Sequence, residues 1–177
     1  MNRLKILIIG CSGSGKSTFA RALNQQLEIP ILHLDRIWHA MDHNENSKLE
    51  FKKMQQDFMA ENENFIIDGN YRGTMDIRIP HANVIIWFRV PRRTSLFRVI
   101  KRSVKRKLKL EIRDDMANGF KEKFDRKYLD FLKFIWHFEK KNVPEITELL
   151  ETRHAFCRLM VVTNKLEKVK LLNEITK

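Results

Sequence analysis

The stretch Gly10-Cys11-Ser12-Gly13-Ser14-Gly15-Lys16-Ser17-Thr18 holds the residue types that handle phosphate. Its spacing, Gly10-x4-Gly15-Lys16-Ser17, is that of a phosphate-binding loop. The glycines allow positive φ and close approach of the backbone to a ligand. Successive N–H groups from Gly10 through Thr18, with the N-terminus of the helix that follows, make a cradle for an anion. Lys16 would reach the β- and γ-phosphates of a nucleotide such as ATP, and the Ser17 hydroxyl would ligate Mg²⁺. The competing reading is an ordinary βα turn. Glycine is too infrequent for so complete a match to be common by chance, and the apolar run before it and helical pattern after it are the context the motif requires.

Other residues could complete that chemistry. Phe65-Ile66-Ile67-Asp68-Gly69 reads as an apolar strand ending in an acid, and a strand-end Asp facing the loop could hold Mg²⁺ through water. Alone, Asp68 could equally cap a turn before Gly69; paired with Lys16, the cation reading prevails. Pro30-Ile31-Leu32-His33-Leu34-Asp35 predicts a short strand that ends at Asp35. Ligands of open α/β sheets sit at the carboxyl ends of strands, so Asp35 and the following Arg36 stand where chemistry would be. His33 is expected as a partly packed strand histidine rather than a catalyst. Cys11 and Cys157 are far apart and offer no metal-ligand pair, which fits an intracellular protein with reduced thiols.

These residues need a scaffold. Phe19, Ala20, Leu23 and Leu27 recur at helical spacing, and Pro30 closes that segment. Ser47-Lys48-Leu49-Glu50 has the spacing of a capping box, which predicts a helix with Leu49, Met54 and Phe58 on one face. Val84 to Phe88 reads as a strand buried on both sides. Pro91 ends it, and a helix is expected from Thr94 or Ser95. From Arg89 to Lys109 there are ten Lys/Arg and no acid, within a net charge of +12. Such a block would serve as a basic lid over phosphates, as a solvated face, or as a nucleic-acid contact, in that order of weight. Arg98 and Arg102 share one helical face. Asp114 to Phe124 reads as loop or broken helix, with Asn118-Gly119 a turn signal. Phe124, Tyr128, Phe131, Ile135 and Phe138 form an apolar stripe suited to core packing. Phe134 and Trp136 lie off it, free for a second contact such as a partner subunit. A last strand, Arg158 to Val162, precedes Thr163-Asn164-Lys165 and a short helix.

Strands alternating with helices predict a single α/β domain over residues 1–177 with a parallel sheet and right-handed crossovers. Its length suffices for one sizeable core. No apolar run approaches membrane-spanning length, and the first one is too short for a signal peptide, so a cytoplasmic protein without membrane association is expected.

Gly10 to Ser17, taken with Ile67-Asp68-Gly69-Asn70-Tyr71-Arg72, resembles the adenylate-kinase-like group of small P-loop kinases. His33-Leu34-Asp35, the arginine helix from Pro91 to Arg102, and Phe131-Leu132-Lys133-Phe134-Ile135-Trp136 add a narrower similarity, to the FlaR-related proteins named for DNA topology modulation. The resemblance implies a three-layer α/β/α P-loop NTPase fold: a five-stranded parallel sheet in the order 2-3-1-4-5, substrate-site helices over about residues 36–64, and a helical lid over about 92–125. It implies that Asp68 is associated with Mg²⁺ and that Arg72 grips the acceptor. Arg98 and Arg102 would be the lid pair contacting adenine and the transferring phosphate. Asn164 and Lys165 would border adenine, and Asp35 would orient an acceptor hydroxyl or serve as its base. Where adenylate kinases carry a Gln that reads AMP, this chain has Asp76, and no zinc-type cysteine set occurs in the lid.

The leading expectation is an ATP- and Mg²⁺-dependent phosphotransferase acting on a small nucleotide-like or hydroxylated acceptor. The alternative is a nucleotide-dependent DNA-binding regulator whose basic block contacts phosphates, for which only Phe97 supplies aromatic interleaving. Either a monomer or a homodimer suits both.

Overall fold

The computed structural model describes residues 3–108, 125–153 and 157–176. Five strands, β1 (Lys5–Gly10), β2 (Ile31–His33), β3 (Phe65–Asp68), β4 (Val84–Phe88) and β5 (Arg158–Val162), form one sheet. The order is β2-β3-β1-β4-β5, and every neighbouring pair is parallel. The connections carry α1 (Lys16–Leu27), α2 (Leu34–Trp38), α3 (Ser47–Glu61), α4 (Met75–Arg78), α5 (Arg92–Lys107) and α6 (Arg126–Arg153), with α7 (Lys165–Ile175) last.

Side chains alternate across the sheet and divide the core in two. Ile6, Ile8, Ile66, Ile86, Phe88 and Val162 pack on Phe19, Ala20 and Leu23 of α1 and on Leu171 of α7. Leu7, Ile9, Ile67, Ile85 and Trp87 turn the other way, with Phe51 and Met59 of α3, Val99 of α5, and Ile135, Phe138 and Ile146 of α6. The central strands are thus covered on both sides, which is why they are nearly all apolar. Tyr128 joins the buried stripe of α6, and that helix runs on past Pro144. Among the described residues no helix is long and apolar enough to cross a membrane.

Several expectations are corrected. β2 stops at His33, and Leu34 begins α2, so Asp35 lies in a helix's first turn rather than at a strand end. Leu34 is fully buried and packs over Gly69, where a Cβ would lie 2.8 Å from the Leu34 Cβ. That contact draws α2 across the end of β3. The capping box does not form: Asn44 accepts from the Ser47 N–H and hydroxyl at 3.0 and 3.2 Å. The buried face of α3 is Ser47, Phe51, Gln55 and Met59, whereas Leu49 is 70% and Met54 42% exposed. Helix α5 begins at Arg92, directly after Pro91. Trp136 is engaged within the chain, with the Arg92 guanidinium 4.1 Å from its ring centroid. The expectations for Asp114 to Phe124, and for Lys109 and Phe124, fall outside the described residues.

Candidate functional site

The loop between β1 and α1 is shaped by glycine. Gly13 and Gly15 have φ of +81° and +97°, and Gly13 lies so close to α5 that a Cβ would sit 2.3 Å from the Ser95 carbonyl oxygen. Gly15 is the N-cap of α1; no side chain caps the helix and no acid stands in its first turn. The first N–H groups of α1 therefore face the loop's concavity with no side-chain acceptor, the arrangement that favours an anion. Lys16 is buried, Ser12 and Ser17 are half-buried, Thr18 is exposed, and the buried Ser14 hydroxyl takes no partner. The Cys11 thiol is packed, not reactive: burial pushes its pKa up to about 12 against the pull of Lys16.

Asp68 stands opposite this loop, at the end of β3, in register with Ile8 of β1 and His33 of β2. It is only 4% exposed. Burial pushes its carboxyl up, but the Lys16 ammonium, the His33 ring and the Ser17 hydroxyl outweigh this and hold it below the usual carboxylate range. Asp68 Oδ2 lies 2.9 Å from His33 Nδ1. An ionised carboxylate only accepts, so Nδ1 carries the hydrogen. The second oxygen, Oδ1, is buried and takes no hydrogen bond. A buried, charged oxygen left open beside Lys16 and Ser17 fits the water shell of a divalent cation on a nucleotide's phosphates.

Across β2 and β3 from the loop lies Asp35, whose carboxylate accepts from the Tyr71 hydroxyl. Burial, the charge of Asp35 and that hydrogen bond raise the phenol's pKa, so Tyr71 remains a donor. Tyr71 packs with Phe51 and Trp38, ring centroids 4.9 and 6.0 Å away. Arg36 is exposed on α2. Arg72 forms an ion pair with Glu145 of α6 at the surface.

Helix α5 closes the other side. Arg98 Nη1 donates to the Ser14 carbonyl at 3.1 Å, placing the arginine directly on the phosphate loop. Arg102, one turn on, is half-buried on the same face. Asn164 caps α7, its Oδ1 accepting from the Glu167 N–H at 3.0 Å, and Lys165 opens the helix in an exposed position. Arg98, Arg21 and Lys165 all act electrostatically on Lys168, whose pKa is lowered first by its partial burial and then by these cations. Arg98 and Lys165 thus share one positively charged neighbourhood with Arg21 and Lys168, which spacing alone did not indicate.

Three further residues make contacts in this candidate site. His33 is the partly packed strand histidine that was expected, and it reaches Asp68. Asn70 Oδ1 accepts the Gly10 N–H at 2.8 Å, tying the turn after β3 to the start of the phosphate loop. Arg78, fully buried, donates to backbone carbonyls of that same turn. The strand-to-turn pattern around Asp68 pointed to the region, but nothing in the spacing singles out these side chains.

Among solved structures, the chain is similar to shikimate kinase from Acinetobacter baumannii in complex with shikimate, at 15% identity and TM-score 0.59, covering 98% of this chain and 91% of that one. A putative kinase from Chloroflexus aurantiacus gives 14% identity and TM-score 0.58, with 98% and 96% covered. Deoxyadenosine kinase from M. mycoides with bound dATP gives 16% and 0.52, with 99% and 100% covered. At these identities the likeness is one of fold, and the fold is that of the P-loop kinases. No curated protein matches the sequence. The AAA domain family matches residues 6–126, more than half of the chain and the part holding the loop, Asp68 and α5, and the chain belongs to that family.

Proposed function

We propose that the protein is an ATP-dependent phosphotransferase that moves the γ-phosphoryl group to a hydroxyl or phosphate oxygen of a small acceptor. The observation that carries this reading is the buried, ionised Asp68 with one open oxygen, set beside Lys16 and Ser17 at the mouth of an uncapped helix. The kinase names among the solved neighbours support it, as does the glycine-shaped loop. The narrower likeness to adenylate-kinase-like and FlaR-related proteins belongs to this proposal as well. Such a reaction draws on cytoplasmic ATP, and we place the protein there.

Phosphoryl transfer asks the protein mainly for positioning and charge stabilisation. In this reading the N–H groups of residues 13–18 and the Lys16 ammonium hold the nucleotide's phosphates. Ser17 and Asp68 would hold Mg²⁺, which when bound would offset the negative charge of the phosphates. His33 fixes the orientation of the Asp68 carboxylate. Arg98, already on the loop, would meet charge developing on the transferred group, with Arg102 beside it. On the acceptor side, Tyr71 orients Asp35, and Arg36 and Arg72 border the approach. The acceptor oxygen forms a bond to the γ-phosphorus while the bond to the β–γ bridging oxygen breaks; ADP leaves, and a hydroxyl acceptor's proton passes to Asp35. Asn164 and Lys165 would border the base.

The test is ATP consumption with Mg²⁺ against a panel of nucleoside monophosphates, nucleosides and hydroxylated metabolites, with Lys16→Ala as the blank. Turnover on one acceptor class, lost by at least about a hundredfold in Lys16→Ala, is expected from the removal of a charge placed on the reacting phosphates. Turnover that persists in Lys16→Ala would refute the assignment.

A further inference from the structure

Arg78 is fully buried, yet each hydrogen bond its guanidinium makes goes to a main-chain carbonyl within one short turn. Nε donates to Thr74 O at 3.1 Å, Nη1 to Gly69 O at 3.0 Å, and Nη2 to Tyr71 O at 3.0 Å and to Asn70 O. A buried cation costs desolvation, and burial pushes this one's pKa down to about 9, which leaves it charged at neutral pH. An apolar residue would fill the same space without that cost, but it could not hold four carbonyls. Lysine, a point charge, could not match them either; only the rigid fork of arginine presents its donors in such an array.

The turn so gripped is unusual in itself. Tyr71 has φ +35°, uncommon for a bulky residue, and the strain persists only where surroundings impose it. The same turn carries links to both sides of the site. Asn70 meets the Gly10 N–H, Tyr71 meets Asp35, and the Thr74 hydroxyl donates to Gln55 Oε1 of α3 at 3.0 Å. Gly10 has no slack, since a Cβ there would lie 2.6 Å from the Phe88 carbonyl oxygen. A shift of the turn would therefore be felt at the entry to the phosphate loop.

We propose that Arg78 is a positioning residue: by gripping residues 69–74 it sets Asn70 against the phosphate loop and Tyr71 against Asp35, keeping the nucleotide and acceptor sides of the site in register. The nucleotide part rests on the reading of the loop as an ATP site.

The experiment pairs amide hydrogen exchange, resolved by NMR, with Mg-ATP titration of the full chain. Wild type, Asn70→Ala, Arg78→Lys, Arg78→Gln and the Asn70→Ala/Arg78→Lys double variant are compared. Both Asn70→Ala and Arg78→Lys speed exchange at the Gly10 amide by about tenfold, the scale of one lost hydrogen bond, while Ile6 to Ile9 stay protected. Each weakens Mg-ATP by a similar factor, and the double variant is no worse than either single one. Arg78→Gln, which keeps an amide donor, behaves as Arg78→Lys and stands in for it should that variant not fold. Protection lost evenly along β1, or additive effects in the double variant, would show an ordinary stabilising residue and overturn the proposal. The exchange arm needs no nucleotide, so a wild type that ignores Mg-ATP would count against the ATP reading alone.

Discussion

At the scale of single residues, Asp68 is the group on which the candidate site depends most. Its folded-state carboxyl lies below the usual value, so on acidification the unfolded chain takes up this proton first. The stability it contributes is complete above the unfolded value, about pH 4, and is lost as pH falls through the lower folded value. Urea unfolding of wild type and Asp68→Asn between about pH 3 and pH 7 checks this. Wild type is expected to be the more stable, by a margin that is constant near neutrality and shrinks below about pH 4. A margin that grows on acidification would contradict it. Lys16, Ser17 and Asp68 were legible because contiguous sequence announces them: a glycine-spaced loop, and an acid closing an apolar run. His33, Asn70 and Arg78 were not. His33 meets Asp68 through sheet register, Asn70 meets Gly10 across sixty residues, and Arg78 acts through backbone, so none leaves a local pattern.

At the scale of elements, strands were easier to read than the short helices between them. The apolar runs at β1, β3 and β4 allow few alternatives, but β2 has three residues and passes straight into α2. That handover moved Asp35 off a strand end and onto a helix, still beside the site. In α3 the exposed apolar residues Leu49 and Met54 mimic a core face, whereas the true one includes the polar Ser47 and Gln55. Gln55 is satisfied there, donating to the Phe51 carbonyl at 2.8 Å and accepting from Thr74. The distinction is measurable. Phe51→Ala should cost about 3–5 kcal/mol, since the ring is buried against Trp38 and Tyr71. Leu49→Lys should stay within about 0.5 kcal/mol of wild type, being a surface change. Chemical denaturation of the two variants checks both, and a reversed order would mean that α3 presents its other face.

At the scale of the whole molecule, the sheet order gathers the ends of β1, β2 and β3 at one edge, and α5 brings its arginines over it. The order 2-3-1-4-5 was implied by resemblance rather than by periodicity, because no local pattern records which strands pair. Part of the net charge of +12 gathers at this edge, where Arg98 rests on the loop and Lys168 feels Arg21, Arg98 and Lys165. A site this cationic, with one buried acid, suits a polyanion carrying a divalent cation. Calorimetric titration of ATP with and without Mg²⁺, in wild type and in Asp68→Asn, tests that most directly. Mg²⁺ is expected to tighten ATP binding to wild type, and Asp68→Asn to lose most of this gain. ATP binding that is absent from wild type, or identical with and without Mg²⁺ in both proteins, would contradict it.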